Sequence, residues 1–442
     1  MKKILIIGAG RSSTILIDYL LKHAESCNWQ ITVADADITL AQSKIANHPR
    51  GKAMALDILN ISERKKAVQS HDFVVSMLPA FMHGEVAKDC VECGVSMATA
   101  SYVSDTMKAL DKEAQKKGII LLNELGLDPG IDHASAMKII HDIKSKGGKI
   151  ISFYSYCGGL VAPESNDNPW GYKISWNPRN VVMAGTGVAQ YLSEGKIKYL
   201  PYPRLFSAHQ TINIESHTFD AYANRNSLEY IDIYGIPEVK NLLRGTLRYS
   251  GYCKAWDIIV NLGLTDDSFI IPNTSAFTYK QWTESFLIPG NESVIVKLKK
   301  MFSEKITDEV LQKLEYLGLF SDNIISIKNG TPAQVLQTLM EEKLKLKEHD
   351  KDRVVMYHLF EYEINGKKYK LESYFDRKGH DSVHTAMAET VGLPLAITVK
   401  NYLTKKFNLT GVQIPTIADI YNPLLEELKE HNIRFIEKIY NH

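Results

Sequence analysis

The chain has 442 residues, too many for one ordinary domain, so two or three are expected. Hydrophobic residues make up 45% and charged residues 23%, a globular composition that excludes disorder and fibrous repeats. With 52 Lys plus Arg against 51 Asp plus Glu, no cationic excess exists to grip a phosphate backbone, which argues against nucleic acid as a partner. Apolar runs fall short of the roughly 18 to 20 residues that a membrane span needs, so a soluble protein is expected. The run Ile4 to Ile7 is too short for the apolar region of a signal peptide. Five cysteines, an odd number in a long chain, do not read as a disulfide framework and point to a reducing cytoplasm.

Lys3 to Ile7 is an apolar run ending in glycine, as a strand buried on both faces would be. Thr14 to Leu21 then places Ile15, Leu16, Tyr19 and Leu20 at helical spacing. Strands are expected at Gln30 to Ala34, Lys52 to Leu56, Phe73 to Met77, Ser96 to Thr99 and Ile119 to Leu122. Helices are expected at Thr39 to Ala46, Ser62 to Gln69, His83 to Cys93 and Asp105 to Lys117. This alternation predicts an α/β, doubly wound parallel sheet. A helix over Ile131 to Lys144 and a strand over Ile150 to Tyr156 follow, then a long loop from Gly158 to Arg179. Residues 236 to 350 read as mostly helical. Val354 to Ile364 and Lys367 to Phe375 form a hairpin around Asn365-Gly366. Helices over Thr385 to Phe407 and Asn422 to His431 precede a last strand at Ile433 to Ile439.

Gly8-Ala9-Gly10-Arg11-Ser12-Ser13 closes the first strand and opens a helix, the context that a dinucleotide-binding turn requires. Gly8 permits the tight turn and Gly10 admits the pyrophosphate, which lies on the helix N-terminus. Ser13 replaces the usual third glycine and is small enough to keep helix and strand close. Asp35, at the end of the second strand, is placed to accept the adenosine ribose hydroxyls, with Asp37 as a second candidate. No Arg follows closely to receive a 2′-phosphate, so NAD is expected, with NADP kept open.

Further clusters follow predicted strands. Ala100-Ser101-Tyr102 lies at the carboxyl edge of the sheet, where ligands bind. Asn123 to His133 combines glycines, a proline and acidic residues; Asp128 and Asp132 read either as acid or base or as helix caps. Cys157 precedes Gly158-Gly159 and reads either as a buried small residue or as a reactive thiol. Cys90 and Cys93 are explained by packing on a helix, and no metal site is expected. Arg225 and Arg248 stand among turn-forming residues and could clamp carboxylates bidentately.

These clusters closely resemble the glutamate-forming saccharopine dehydrogenase family. The matching motifs are Gly8–Gly10, Thr99–Ser104, Asn123–His133, Ser155–Trp176, Ala223–Ser227, Arg244–Tyr252 and Thr385–Ala396. The resemblance implies a Rossmann-type domain built from both chain ends, a mixed α/β substrate and dimerisation domain, and a helical insertion. The expected boundaries are 1–128 with 395–442, 129–235 with 351–394, and 236–350. It implies oxidation of saccharopine to L-glutamate and 2-aminoadipate 6-semialdehyde by a homodimer in lysine metabolism. Ser101, Tyr102, Asp128, Arg225, Thr246, Leu247 and Arg248 match substrate-contacting positions. The cofactor-lining positions are Gly8, Gly10, Arg11, Ser12, Ser13, Asp35, Asp57, Ile58, Leu78, Ala100, Ser101, Leu127, Asp128, Pro129, Gly130, Ile131, Asp132, His133 and Ala134. Asp128, Tyr102 and Cys157 are the expected catalytic residues. Ala36 stands where NADP users tend to carry Arg, which supports NAD and a degradative role. Met77 to Phe81, which lacks the tyrosine often found after the proline, Ala223 and Arg377 to His380 also depart from the family pattern and leave room for a related substrate, such as a carboxyalkyl-polyamine. A non-catalytic nucleotide-binding member is the other alternative.

Overall fold

A computed structural model describes residues 1–441, and the chain divides into two compact units. One holds residues 1–147 and 383–436, the other residues 148–382 and the segment from Glu437 onward. In chain order the strands are β1 (Lys2–Ile7), β2 (Trp29–Asp35), β3 (Gly51–Ala55), β4 (Phe73–Ser76), β5 (Ser96–Thr99), β6 (Ile120–Leu122), β7 (Lys149–Val161) and β8 (Val188–Ser193). They continue with β9 (Lys196–Pro201), β10 (Gln210–Ile214), β11 (His217–Ala223), β12 (Asn241–Tyr249), β13 (Asp352–Ile364), β14 (Lys367–Lys378), β15 (Gly411–Gln413) and β16 (Ile436–Asn441).

The first unit is built on a parallel sheet of order β15-β6-β5-β4-β1-β2-β3. Residues Ile4–Ile7 and all of β4 are buried, which is why both read as apolar runs. The strand order reverses between β1 and β4, and a doubly wound sheet binds ligands outside the strand ends at such a point. The expected helix over 105–117 is broken at Leu110 into Asp105–Ala109 and Asp111–Lys116. Asp111 is committed to the chain's later return, accepting the Val412 N–H of β15 at 2.7 Å. That return is completed by the helix Ala386–Leu403, which packs on the helix Thr14–Ala24.

The second unit carries a mixed sheet of order β10-β11-β12-β7-β13-β14-β16, with β8 pairing β12 and β9. The Asn365-Gly366 hairpin forms as expected, with Ile364 opposite Lys367. Three sequence readings need correction here. Residues 241–249 are not part of a helical stretch but form the buried strand β12, and helices occupy the segment only from Tyr252 to Lys343. β7 runs past the glycine pair to Val161, so Cys157 lies inside a strand and not at its end. β16 pairs beside β14 in this second sheet, not with the first domain. Lys438 of β16 meets Glu215 at 2.5 Å and lies over the Tyr374 ring, contacts that a linear reading of a short terminal strand does not reveal. Among the described residues no helix is long and apolar enough to cross a membrane.

Candidate active site

In the first unit the predicted cofactor positions gather at the carboxyl edge of one sheet. The chain leaves β1 through Gly8, at φ 105°, and a Cβ there would lie 2.9 Å from the Met77 carbonyl oxygen beyond β4. Only glycine fits that crossing at the switch point. Gly10 and Arg11 are exposed, Ser12 is half-buried, and Ser13 donates to the Gly10 carbonyl from both its hydroxyl and its amide. Asp35 accepts the Ala9 N–H at 2.7 Å on one oxygen and the Asp37 N–H at 3.0 Å on the other. Its carboxylate is therefore fixed between the glycine turn and the chain leaving β2. Asp37 caps the helix Ile38–Ile45 through Thr39 and Leu40. Those bonds hold its carboxyl below the usual range, so it stays ionised.

The remaining positions sit along the same edge. Asp57 is exposed and turns back to the Leu59 N–H, while Ile58, Leu78, Ala100 and Ser101 are half-buried. After β6 the chain folds back on the segment after β5, with Glu124 N–H donating to the Ser101 carbonyl at 3.0 Å. The Tyr102 hydroxyl donates to Asp128 Oδ1 at 3.0 Å, and both residues are half-buried. This places two of the three expected catalytic residues in direct contact. The Asp128–Pro129 peptide is cis.

The other side chains of the stretch after Asp128 point inward. Ile131, Asp132, His133 and Ala134 are all buried. Asp132 does not cap the helix Ile131–Ser145; its Oδ1 accepts the Gly130 N–H at 2.6 Å. His133 lies 2.8 Å from Glu124 Oε2, and the other Glu124 oxygen accepts the Val103 N–H at 3.0 Å. Asp132 Oδ2 lies 3.6 Å from the other ring nitrogen of His133, and Glu124 ties together the two segments that carry Tyr102 and Asp128.

Another residue missed by sequence reasoning is His83, at the start of the helix His83–Cys93. Its ring bridges Ser76 at the end of β4 and Ser101 beyond β5. A lone histidine carries no motif signal; only the topology brings its partners together.

In the second unit the strand register assembles a polar face. Thr246 of β12 pairs with Tyr222 of β11 on one side and Cys157 of β7 on the other. Side chains alternate along a strand, so Arg244, Thr246 and Arg248 share that face. Leu247 points the opposite way and is fully buried, which leaves its side chain in the core.

Arg248 is the centre of this face. It is 4% exposed, and its guanidinium carbon lies 5.2 Å from the Tyr172 ring centre, 5.8 Å from Tyr222 and 5.3 Å from Tyr252. Burial pushes the hydroxyl pKa of these tyrosines up, so the rings stay neutral. Among the described residues no carboxylate lies within ion-pair distance of Arg248, and its Nε has no hydrogen-bond partner. The neighbouring Asp220 instead accepts the Gly251 and Cys253 N–H groups. A buried cation without an anion is costly, and its arrangement suits an incoming carboxylate. Arg225 is exposed, at φ 51° on the turn after β11. Arg244 lies over the Tyr230 ring at 4.1 Å.

A glycine cradle at the switch point of a parallel sheet, in a chain whose other unit carries this arginine, defines a nicotinamide-dinucleotide-dependent oxidoreductase. Residues 4–122 match the family profile described as saccharopine dehydrogenase NADP binding domain. Residues 126–433 match the saccharopine dehydrogenase C-terminal domain. The chain belongs to the saccharopine dehydrogenase family. It is 34% identical over 450 residues, 99% of each chain, to saccharopine dehydrogenase [NADP(+), L-glutamate-forming] of Schizosaccharomyces pombe. It is 34% identical to the mitochondrial alpha-aminoadipic semialdehyde synthase of Mus musculus, covering 98% of this chain and 47% of that protein. The solved apo saccharopine dehydrogenase (L-Glu forming) of Saccharomyces cerevisiae superposes with a TM-score of 0.89 at 32% identity, over 100% of both chains. The profile and the fission-yeast name both carry NADP, against the expectation of NAD.

Proposed function

We propose that this chain oxidises saccharopine at its secondary amine, giving L-glutamate and 2-aminoadipate 6-semialdehyde. The observation that carries the reading is Arg248, a buried cation with no carboxylate partner among the described residues, in a chain that aligns end to end with glutamate-forming relatives. Saccharopine is a tricarboxylate, and a planar guanidinium grips a carboxylate with two parallel bonds. Bound there, a nicotinamide would supply a hydride acceptor for the carbon beside the amine, and water would split the resulting substrate imine. The turn at Gly8 to Ser13 and the fixed Asp35 would hold the dinucleotide. Arg248 and Arg225 hold substrate carboxylates. We assign management of the amine proton to Asp128, an ionisable group hydrogen-bonded to Tyr102, and keep Cys157 as a further candidate. The test is the initial rate of reduced-nicotinamide formation at its absorbance band, with purified protein and saccharopine. Turnover supports the reading, and no turnover with either cofactor overturns it.

The choice between the two dinucleotides rests on residues 35–37. The relatives' names point to NADP, whereas Asp35 and Asp37 place two carboxylates at the end of β2 with Ala36 between them. Both repel a 2′-phosphate, which supports NAD. The expected kcat/KM for NAD exceeds that for NADP by about tenfold or more, roughly one close charge contact. Ala36→Arg supplies a cation and is expected to narrow that ratio by about tenfold. A wild-type preference for NADP would overturn this argument and leave the reaction assignment standing.

The odd number of cysteines, five in a long chain, supports a reducing compartment, and we read the protein as cytoplasmic. The family resemblance supports a homodimer, which sedimentation of the purified chain checks.

A further inference from the structure

His83 sits at the first turn of its helix and is 4% exposed. Its Nδ1 lies 2.8 Å from Ser76 Oγ, its Nε2 lies 2.8 Å from Ser101 Oγ, and Thr99 Oγ1 is 3.3 Å from the same nitrogen. Thr99 Oγ1 in turn accepts the Ser101 N–H at 3.3 Å. Ser76 and Thr99 are buried within the strand ends. Ser101 is the one member of the chain that is only half-buried, at the edge where a doubly wound sheet meets its ligand.

Desolvation pushes the His83 pKa down to about 4, and the positive end of a helix dipole acts in the same direction. The ring is therefore neutral at working pH, with one nitrogen donating and the other accepting. A neutral imidazole between two hydroxyls orders them: each hydroxyl must complement the nitrogen it faces. Ser101, which would otherwise turn freely about its Cα–Cβ bond, is held in one rotamer. Tyr102, the next residue, makes the contact with Asp128.

We propose that His83 is a positioning residue for this dehydrogenase, fixing the Ser101 hydroxyl from behind so that it meets the substrate in one orientation. The inference rests on reading Ser101 as a substrate contact. A histidine that merely fills the core would give no coupling between its own replacement and that of Ser101.

The experiment is a double-mutant cycle on kcat/KM for saccharopine at saturating cofactor, with thermal midpoint and dinucleotide binding as folding controls. Ser101→Ala is expected to lower kcat/KM by about tenfold, the upper range for one neutral hydrogen bond. His83→Asn keeps a nitrogen near the Nδ1 position and loses the link to Ser101. It should match Ser101→Ala alone and add nothing on top of it. His83→Gln keeps a nitrogen near the Nε2 position and should retain most of the activity. Additive effects, or a folded His83→Gln as impaired as Ser101→Ala, would overturn the inference. The Gln comparison stands even where the Asn variant does not fold. An unchanged Ser101→Ala would remove the substrate contact and the inference with it. Wild-type protein inactive on saccharopine would instead overturn the parent reading.

Discussion

Replacing Arg248 by Met is expected to lower kcat/KM for saccharopine by two to three orders of magnitude while leaving dinucleotide affinity unchanged. Arg248 is buried against Tyr172, Tyr222 and Tyr252 and, among the described residues, has no carboxylate partner of its own. Its burial is repaid only when an anion arrives. Removing one member of a buried, hydrogen-bonded charge pair costs about 2 to 5 kcal/mol, and each 1.4 kcal/mol is about tenfold. Met fills similar volume among the rings, so the fold is expected to survive. Arg248→Lys keeps the charge but loses the planar fork, and should fall between wild type and Met. Steady-state rates with titrated saccharopine check both variants. Undiminished turnover by Arg248→Met would remove this residue from substrate binding.

The second large effect is expected at Gly130. Its φ is 146°, and a Cβ built there would lie 2.0 Å from the Gly126 carbonyl oxygen. The turn is closed by Gly126 N–H to the Pro129 carbonyl at 2.8 Å and Ile131 N–H to the Gly126 carbonyl at 2.9 Å. Backbone meets backbone, so no rotamer change relieves the contact. Gly130→Ala must open the turn, and with it move Asp128 away from Tyr102. Strain of this kind costs about 3 kcal/mol or more, which lowers the melting point of the first unit by roughly 10 °C. Turnover should fall with it, and a variant with wild-type melting point and rate would contradict the account of this turn.

The first unit was legible because its central strands are buried on both faces, and β1 and β4 therefore appear as apolar runs between helical periods. β15 was not legible: three residues are too few to show a period, and its place is set by partners far away in sequence, β6 and Asp111. β12 was hidden for a chemical reason. Arg244 and Arg248 interrupt the apolar run with charges that the fold then buries, so the strand resembles a polar segment. The same substitution of charge for apolar surface is what makes Arg248 a functional candidate. The glycine turn, Tyr102 and Asp128 stand out as candidates from their motifs and strand-end positions, whereas Arg248 stands out only as a cation in a segment read as turn-forming that is in fact β12. His83 and Glu124 do not stand out, because their meaning lies in partners from other strands: Ser76 and Ser101 for the first, His133 and Val103 for the second.

The most direct test of the central claim is to identify the products of saccharopine oxidation by mass spectrometry, alongside the reduced nicotinamide formed. The account predicts L-glutamate and 2-aminoadipate 6-semialdehyde, each in one-to-one ratio with the reduced cofactor. Lysine and 2-oxoglutarate would show that the other carbon beside the amine is oxidised, and would contradict it.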